Sequence, residues 1–505
     1  MNIILNPQYG IRNEAECSYL CLLDNSRDIL INVRPLFLMI PPLYGYILSS
    51  FTGNSLEETV QNIHDTTQLK KDKILKFVNK LIDNDSLMEV IFRGVKVIFP
   101  PKILQTNDII NIKNKMKVVT TDGFNPFNRF IPSRPSMPLT INFMITSRCK
   151  TDCIYCYADR NLKVDFGLEK ILTLLDECYQ NGVLKVGLSG GDIFAYKDWE
   201  KVIERMYSYG YSSFISTKIP LDSTSISFLS KHGIREIQFS LDSVLNEELD
   251  ILVRPGKEYV KKVEEMLKTC KESKIKVDIK TVITKYNSKI SSLKQLYKLL
   301  VKYDSVHTWN VLSAFYSHYK DGYDDYRGSD ESLKECYRYL KQLTHHSHIY
   351  ILCGNLKNKI TTPISKFKNA DEFVTQNKGC VITTFSMSVN VFGQVVLCEM
   401  LYNHKAFHLG NTDEKTIKEI WQSETMKNFH NFKISEFKVN ENSPCYSCSD
   451  YERCKIGNTK KICIVDIITS YGEDKWDFPD PRCPKAPKCN MDLLLASPLT
   501  AYEVG

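Results

Sequence analysis

The stretch "RCKTDCIYCYADR", residues 148–160, places Cys149, Cys153 and Cys156 on one short loop. Three is an unusual number, because structural zinc closes with four protein ligands and a disulfide joins two cysteines. Thiolates on a tight loop suit an iron–sulfur cluster, and three ligands on a four-iron cubane leave one iron open. The alternatives are a zinc knuckle that is short of one ligand, or three incidental thiols.

The chain around this loop alternates short apolar strands with helical patterns. Such alternation predicts an α/β fold with a parallel sheet and right-handed crossovers, either open or closed into a barrel. In both architectures chemistry gathers at the carboxyl ends of the strands, and the cysteine loop follows the first strand. The predicted strands lie near 139–145, 184–188, 213–216, 235–241, 276–283 and 306–313.

The later strands end in residues that a site at this edge could use. The second ends in "LSGGDIF", where two glycines allow close backbone approach and an aspartate offers a carboxylate. The third ends in "ISTKIP" and the fourth in "FSLDS", with an arginine soon after in "LVRPG". Any one of these suits a routine loop, but together they favour a single site. The candidate residues are Gly190, Gly191, Asp192, Ser240, Asp242 and Arg254.

The spacing C-x3-C-x2-C, with Tyr155 before the last cysteine, resembles the signature of radical S-adenosylmethionine (SAM) enzymes. The resemblance implies a partial (β/α)6 barrel and a [4Fe–4S] cluster on Cys149, Cys153 and Cys156. The open iron would bind SAM through its amino and carboxylate groups. One electron would then cleave SAM to a radical that abstracts hydrogen from a C–H bond, so the barrel must exclude water.

The same resemblance implies roles for the strand-end residues. "SGGD" is similar to the family's Gly-Gly-Glu motif, which holds the amino group of SAM, although Asp192 is one methylene shorter. Ser240 resembles the serine that contacts the SAM carboxylate together with a downstream arginine, here Arg254.

A second group of cysteines lies near the C-terminus. Cys380 is followed by twelve residues, Gly393, four residues and Cys398. "CYSCSDYERC" then reads C-x2-C-x5-C at Cys445, Cys448 and Cys454. Four thiolates suit either a zinc ribbon or an iron–sulfur cluster, and the spacing alone leaves both open.

This pattern resembles the SPASM domain, which carries two auxiliary [4Fe–4S] clusters. It departs after Cys454, because Asn458 stands where the family has its next cysteine and Cys463 follows instead. The resemblance implies one cluster on Cys445, Cys448, Cys454 and Cys483. The other would take Cys380, Cys398 and Cys463, with a fourth ligand from Cys489 or Cys353 or an open iron that binds a substrate thiolate.

The N-terminal region, residues 1–115, predicts strands in "ECSYLCLL" and "DILINV", then helices and a hairpin that turns near Gly94, a winged-helix-like set. Its 13 Lys and Arg against 12 Asp and Glu argue against duplex DNA as a partner, since duplex binders neutralise phosphates. The region resembles the PqqD-like peptide-recognition domain. In that domain a leader peptide adds as a strand to a sheet edge, and "LNPQYGIRNEAECSYLCLLD" with the helix near 70–84 would supply the groove.

The remaining chain divides by composition. After a linker at 116–137 we predict the barrel over 138–330, a connecting segment over 331–375 and the SPASM domain over 376–505. The sequence has no membrane-spanning apolar run and no secretory signal, so we expect a cytoplasmic protein. Its 17 cysteines then fit metal binding in a reducing compartment better than disulfides.

These features predict a radical SAM maturase that installs a crosslink in a ribosomally made precursor peptide. The expected bond is a cysteine thioether, and carbon–carbon crosslinking is the alternative. We expect partners in a leader-bearing precursor peptide and an electron donor such as flavodoxin or ferredoxin, and neither nucleic acid nor membrane. A zinc-stabilised winged-helix regulator is the alternative from another class.

Overall fold

The computed structural model describes residues 1–23, 37–82, 84–106, 117–212, 214–354, 356–357, 367–376, 380, 382–431, 440–455 and 462–489. Its strands are β1 Asn2–Leu5, β2 Tyr9–Asn13, β3 Ser18–Leu22, β4 Phe37–Ile40, β5 Thr52–Ser55, β6 Met88–Phe92, β7 Val95–Phe99, β8 Leu104–Thr106, β9 Lys117–Thr120, β10 Thr140–Thr146, β11 Lys185–Gly190, β12 Ile215–Thr217, β13 Glu236–Ser240, β14 Lys276–Ile283, β15 Val306–Ser313, β16 Tyr350–Leu352, β17 Ser386–Val389, β18 Gln394–Val396 and β19 His408–Asn411.

The helices of four or more residues follow the same numbering along the chain. They are α1 Pro42–Ser49, α2 Leu56–Thr67, α3 Lys71–Val78, α4 Leu168–Gln180, α5 Trp199–Ser208, α6 Ser223–Lys231, α7 Asn246–Leu252, α8 Tyr259–Glu272, α9 Ile290–Leu300, α10 Asp330–Leu343, α11 Ala370–Gln376, α12 Ile417–Gln422, α13 Glu424–Asn431, α14 Tyr451–Lys455 and α15 Ile464–Tyr471.

The N-terminal region contains the elements that the sequence predicts. Ser55 caps α2 by accepting the Glu58 N–H at 3.2 Å, and β6 and β7 form the hairpin that turns at Gly94, whose φ is 82°. One buried apolar cluster draws only on residues between 3 and 104, so the region has its own core. The winged-helix comparison stays a prediction, and the predicted strand "DILINV" lies outside the described residues.

The six predicted strands of the α/β region are all present, as β10 to β15. Strands β12, β13, β14, β15 and β16 form one parallel sheet in that order, and β10 pairs in parallel with β11. Helices α4 to α9 alternate with these strands and bury apolar residues between them. The predicted partial barrel is confirmed, and β16 extends it into the segment predicted as a connector.

The sheet of the barrel continues into the cysteine-rich region. Strand β10 pairs on its other side with β17, and β17, β18 and β19 follow as antiparallel neighbours. Cys398 lies two residues after β18, so this pairing brings it near the first strand of the barrel. The predicted domain boundaries stay predictions.

Polar contacts join the N-terminal region to the base of the barrel. The buried Arg12 guanidinium donates to the carbonyls of Asn181 and Gly182 at 2.9 Å each and pairs with Glu14 at 2.5 Å. Glu14 in turn accepts the Ser136 N–H from the linker. In the described part of the chain, no helix has the length and apolar character needed to cross a membrane.

Candidate active site

The cysteine trio lies on the loop that follows β10, as predicted. The Thr151 hydroxyl is 3.3 Å from Cys149 Sγ and 3.7 Å from Cys153 Sγ, and the Cys156 N–H bonds the Cys153 carbonyl at 3.2 Å. No three His, Cys, Asp or Glu side chains in the described ranges are close enough to bind a single ion.

Backbone contacts hold this loop against the end of α7. The N–H groups of Asp152 and Ile154 donate to the carbonyls of Val253 and Leu252 at 2.9 and 3.0 Å. The Asp152 carboxylate also pairs with Arg254 at 2.9 Å. The loop is thus fixed from a neighbouring helix.

Burial controls the charge of these thiols. It raises the pKa of Cys153 to about 12 and also raises the pKa of Cys156. The nearby Lys218 ammonium lowers both values and so favours the thiolates that metal ligation needs. A loop of three soft ligands beside a buried cation fits an iron–sulfur cluster.

Lys218 belongs to a buried network at the ends of β12 and β13. Its Nζ donates to Asp242 at 2.6 Å and to the Tyr155 hydroxyl at 2.9 Å. The Tyr155 hydroxyl donates to the same Asp242 oxygen, and the other oxygen accepts the Val282 N–H at 2.9 Å. Although burial alone would lower it, the pKa of Lys218 is raised, because Asp242 and Cys153 stabilise the ammonium.

The paired glycines bring the end of β11 against the cysteine loop. The N–H groups of Gly191 and Asp192 donate to the carbonyls of Thr146 and Arg148 at 2.7 and 2.8 Å. A Cβ on Gly190 would lie 2.0 Å from the Thr146 oxygen, and φ at Gly190 is 141°. Only glycine fits this approach.

Asp192 is buried and already has three protein donors. Its carboxylate accepts the Phe194 N–H at 3.1 Å, the Thr217 hydroxyl at 2.8 Å and the Lys218 N–H at 2.9 Å. Burial raises its pKa, and these bonds oppose the rise. In the structure Asp192 therefore ties β11 to β12, and its predicted contact with the SAM amino group stays a prediction.

Two further residues are predicted to hold the SAM carboxylate. The Ser240 hydroxyl accepts from Gln238 Nε2 at 3.1 Å. The Arg254 side chain is 62% exposed, its φ is 48°, and it pairs with Asp152 on the cysteine loop at 2.9 Å. The predicted contacts of both with SAM stay predictions.

One carboxylate that the sequence did not single out enters the barrel from the cysteine-rich region. Glu399, next to Cys398, accepts from Asn142 Nδ2 on β10 and from Ser189 on β11. Asn142 faces away from the helices, because Ile141 and Phe143 pack with α4 in the core and side chains alternate along a strand. Burial raises the pKa of Glu399, and its charge also raises the pKa of Tyr157, beside Cys156.

Four cysteines of the second group line one small cavity, as the first predicted auxiliary set requires. Lys455 is buried beside Cys445, and its ammonium donates to the Phe478 carbonyl at 3.0 Å. Lys485 Nζ donates to Cys448 Sγ at 3.1 Å. Thiols beside two ammonium groups fit a cluster that carries negative charge. The cavity is lined by Cys445, Cys448, Cys454 and Cys483.

The cysteines of the second predicted auxiliary set, Cys380, Cys398 and Cys463, also influence one another or share a neighbour. Burial raises the pKa of Cys398 to about 12, and Cys380 and Asp466 raise it further. Burial and the charge of Asp466 likewise raise the pKa of Cys463, whose N–H donates to Asp480 at 2.9 Å. Three cysteines and a carboxylate therefore share one neighbourhood.

The two candidates for a fourth ligand have different surroundings. Cys353 is buried in the barrel core, and the charge that acts on it is that of Lys341. Burial and the neighbouring Cys489 raise the pKa of Tyr471, whose hydroxyl donates to the Pro487 carbonyl at 3.0 Å. The ligand roles of both cysteines stay predictions.

Arg482 connects two carboxylates beside this second set of cysteines. Arg482 donates to Asp466 at 2.6 Å and to Asp480 at 2.8 Å, and both carboxylates have fully buried side chains. Neither it nor Lys218 nor Glu399 was singled out from the sequence. A lysine in "ISTKIP" and a glutamate after Cys398 were visible there, but only the pairing of distant strands shows what they contact.

Family comparisons agree with this geometry. Residues 143–300 match the radical SAM superfamily, and residues 380–449 match SPASM, an iron–sulfur cluster-binding domain. These matches confirm the expected domain types and, with them, SAM and iron–sulfur clusters as the cofactors. They do not favour a zinc-stabilised regulator.

Two curated relatives match short parts of the chain. One is the antilisterial bacteriocin subtilosin biosynthesis protein AlbA of Bacillus subtilis, 27% identical over 20% of this chain and 22% of AlbA. The other is the PqqA peptide cyclase of Granulibacter bethesdensis, 31% identical over 21% of this chain and 30% of the cyclase. The chain spans less than a third of the length of either.

One solved structure is similar over almost the whole chain. The crystal structure of Streptococcus suis SuiB bound to its precursor peptide SuiA superposes with a TM-score of 0.59 at 15% identity, covering 95% of this chain and all of SuiB. At this identity the likeness shows a shared fold.

Proposed function

From a chain that carries a radical SAM domain followed by a SPASM domain, we infer a maturase that modifies a ribosomally made precursor peptide. The observation that carries this proposal is the sheet that runs from β11 through β10 into β17, β18 and β19. The cysteine trio follows β10 in this sheet and Cys398 lies two residues after β18, which supports a site shared by the two cysteine groups. The names of AlbA, the PqqA peptide cyclase and the SuiB complex, all concerned with peptide products or substrates, support it.

The residues at and near the cysteine trio have separate proposed roles. Cys149, Cys153 and Cys156 hold the SAM-binding cluster, and Ser240 and Arg254 receive the carboxylate of SAM. When bound and supplied with one electron from a donor such as flavodoxin or ferredoxin, these cofactors remove a hydrogen atom from a C–H bond of the peptide. The loop contacts to α7 and the close approach at Gly190 keep the trio rigid, as reactive chemistry requires.

We further propose that the new bond is a thioether to a cysteine of the peptide. Cys380, Cys398 and Cys463 share one neighbourhood, and Cys353, one of the two predicted fourth ligands, is buried in the barrel core. A cluster on three thiolates would keep one iron open for the sulfur of the substrate.

A carbon–sulfur bond made from a C–H and an S–H requires the loss of two hydrogens. One leaves as a hydrogen atom to the SAM fragment, and the other leaves as a proton and an electron. The cluster proposed on Cys380, Cys398 and Cys463 would take the electron, and the proton needs an acceptor in the barrel. Glu399 is the carboxylate placed between Cys398 and the strands β10 and β11. Burial raises its pKa, which makes the carboxylate a better proton acceptor than an exposed glutamate.

The N-terminal region would recognise the leader of the peptide. In the sheet β4-β3-β2-β9, the β9 edge packs on the barrel, with Lys117 Nζ 3.1 Å from the centre of the Tyr211 ring. The β4 edge lies at the other end of the sheet, and Leu38 on it packs against the apolar cluster to which Ile74 and Val78 of α3 belong. An added strand at β4 would lie beside that helix, which is β-augmentation.

Mass spectrometry of a cysteine-containing precursor peptide after incubation with reconstituted enzyme, SAM and reductant tests the function. We expect the product to lose two hydrogen atoms and one alkylatable cysteine thiol. The same mass loss with every thiol still alkylatable would mean a carbon–carbon crosslink and would overturn the thioether proposal. SAM cleavage with no change in any peptide encoded beside the gene would contradict the maturase itself.

A further inference from the structure

Lys218 is a buried cation for which the proposed chemistry has no use. Its side chain is 10% exposed, and that of its partner Asp242 is fully buried. Even after relaxation, burying an ion costs several kcal/mol, and a well-placed partner only repays that cost. Such a pair is therefore better explained by a need for charge at this position than by a need to fill space.

We propose that Lys218 is a positioning residue that raises the reduction potential of the cluster held by Cys149, Cys153 and Cys156. The proposal rests on the proposed cluster at this trio. Lys218 acts in two ways. It fixes the side chain of Tyr155, which stands between Cys153 and Cys156 in the chain, and it presents a fixed positive charge to the cluster site.

The first action follows from the hydrogen bonds. Tyr155 lies between Cys153 and Cys156, and its hydroxyl accepts from Lys218 Nζ at 2.9 Å and donates to Asp242. Asp242 is itself held by the Val282 N–H on β14, at 2.9 Å. The turn that carries two of the three thiols is thereby tied to the ends of three strands.

The second action follows from the charges. Lys218 Nζ lies 2.9 Å from the hydroxyl of Tyr155, which stands between Cys153 and Cys156 in the chain, so the ammonium lies near two of the proposed ligands. It also compensates the Asp242 carboxylate at 2.6 Å, whose charge alone would favour the oxidised cluster. Reduction adds one electron to the cluster, so a positive field stabilises the reduced form more than the oxidised form, and the low dielectric of a buried site strengthens the effect.

Redox titration followed by electron paramagnetic resonance (EPR) tests this inference on the full reconstituted chain. The signal to follow is the one that changes when SAM is added, because the auxiliary clusters do not bind SAM. The variants are Lys218→Met, the charge-preserving Lys218→Arg and the doubly neutral Lys218→Met with Asp242→Asn. Lys231→Met, on the exposed end of α6, is the matched control.

We expect Lys218→Met to lower the midpoint potential of the SAM-responsive signal, since Asp242 is then uncompensated. The double variant should move back toward the wild-type potential, and Lys231→Met should leave it unchanged. An unchanged midpoint in Lys218→Met at full iron content would overturn the proposal.

Loss of the cluster in Lys218→Met is also informative. Loading restored by Lys218→Arg or by the double variant would support a charge effect. Equal loss in all three would mean that Lys218 only fills space, and the proposal would be wrong. A wild-type protein without any SAM-responsive signal would instead contradict the proposed function.

Discussion

The Cβ position of Gly191 lies 2.1 Å from the carbonyl oxygen of Arg148, the residue before the first cysteine of the trio. At this distance no side chain fits, and the obstacle is backbone, which cannot turn away. The end of β11 and the start of the cysteine loop therefore depend on each other for their conformation.

We expect Gly191→Ala to displace the cysteine loop and prevent the trio from holding its cluster. Iron should fall from about twelve to about eight per chain, since the auxiliary cysteines are untouched. Gly167→Ala is the matched control, because its nearest neighbour to the new Cβ is Lys170 Cβ at 3.8 Å, an ordinary contact. Full iron in Gly191→Ala would show that this contact is not needed.

Glu399→Gln should separate SAM cleavage from peptide modification. Without the proton acceptor, we expect cleavage to continue and the rate of crosslinking to fall by about 10²-fold or more. Glu414→Gln, on an exposed carboxylate of the same region, should change neither rate. Product analysis by mass spectrometry beside assay of the SAM fragment checks both.

The pH dependence of crosslinking should report the same carboxylate. A base works when it is deprotonated, so the rate should rise with pH through the pKa of Glu399. Burial raises that pKa, so the rise should lie at higher pH than for an exposed glutamate. The rise should be absent from Glu399→Gln, and its survival there would assign the proton to another group.

Cys483→Ala and Cys353→Ala should differ in the auxiliary cluster signals. Cys483 lines the cavity with Cys445, Cys448 and Cys454, whereas Cys353 is buried in the barrel core. We therefore expect an altered EPR signal from one auxiliary cluster in the first variant and no change in the second. A changed signal in Cys353→Ala would restore it as a ligand.

Hydrogen exchange should locate the leader peptide. If it adds to the sheet at β4, amides of β4 should exchange more slowly when the peptide is present. A peptide of the same composition in scrambled order is the control. Protection elsewhere, with β4 unchanged, would contradict β-augmentation at this edge.

Local patterns allowed much of this fold to be predicted from the sequence. The cysteine trio, the six barrel strands and the hairpin at Gly94 are each set by neighbouring residues, through spacing, alternation and turn chemistry. The set Cys445, Cys448, Cys454 and Cys483 was predicted from the family pattern, and one cavity gathers all four.

The relationships that were missed depend on distant segments. The pairing of β10 with β17 joins residues more than 240 apart and brings Glu399 to Asn142. Lys218 meets Asp242 only because β12 and β13 are neighbours in the sheet. Asp192, which follows β11, accepts hydrogen bonds from Thr217 and Lys218 at the end of β12. A local sequence motif does not encode this contact between separate strands.

The most direct test of the account is iron and acid-labile sulfide per chain after anaerobic reconstitution. Wild type should be measured beside a variant with Cys149, Cys153 and Cys156 all changed to Ala. We expect about twelve irons falling to about eight, which means three cubanes with one of them on the trio. Zinc in place of iron, or no loss of iron in the variant, would contradict the account.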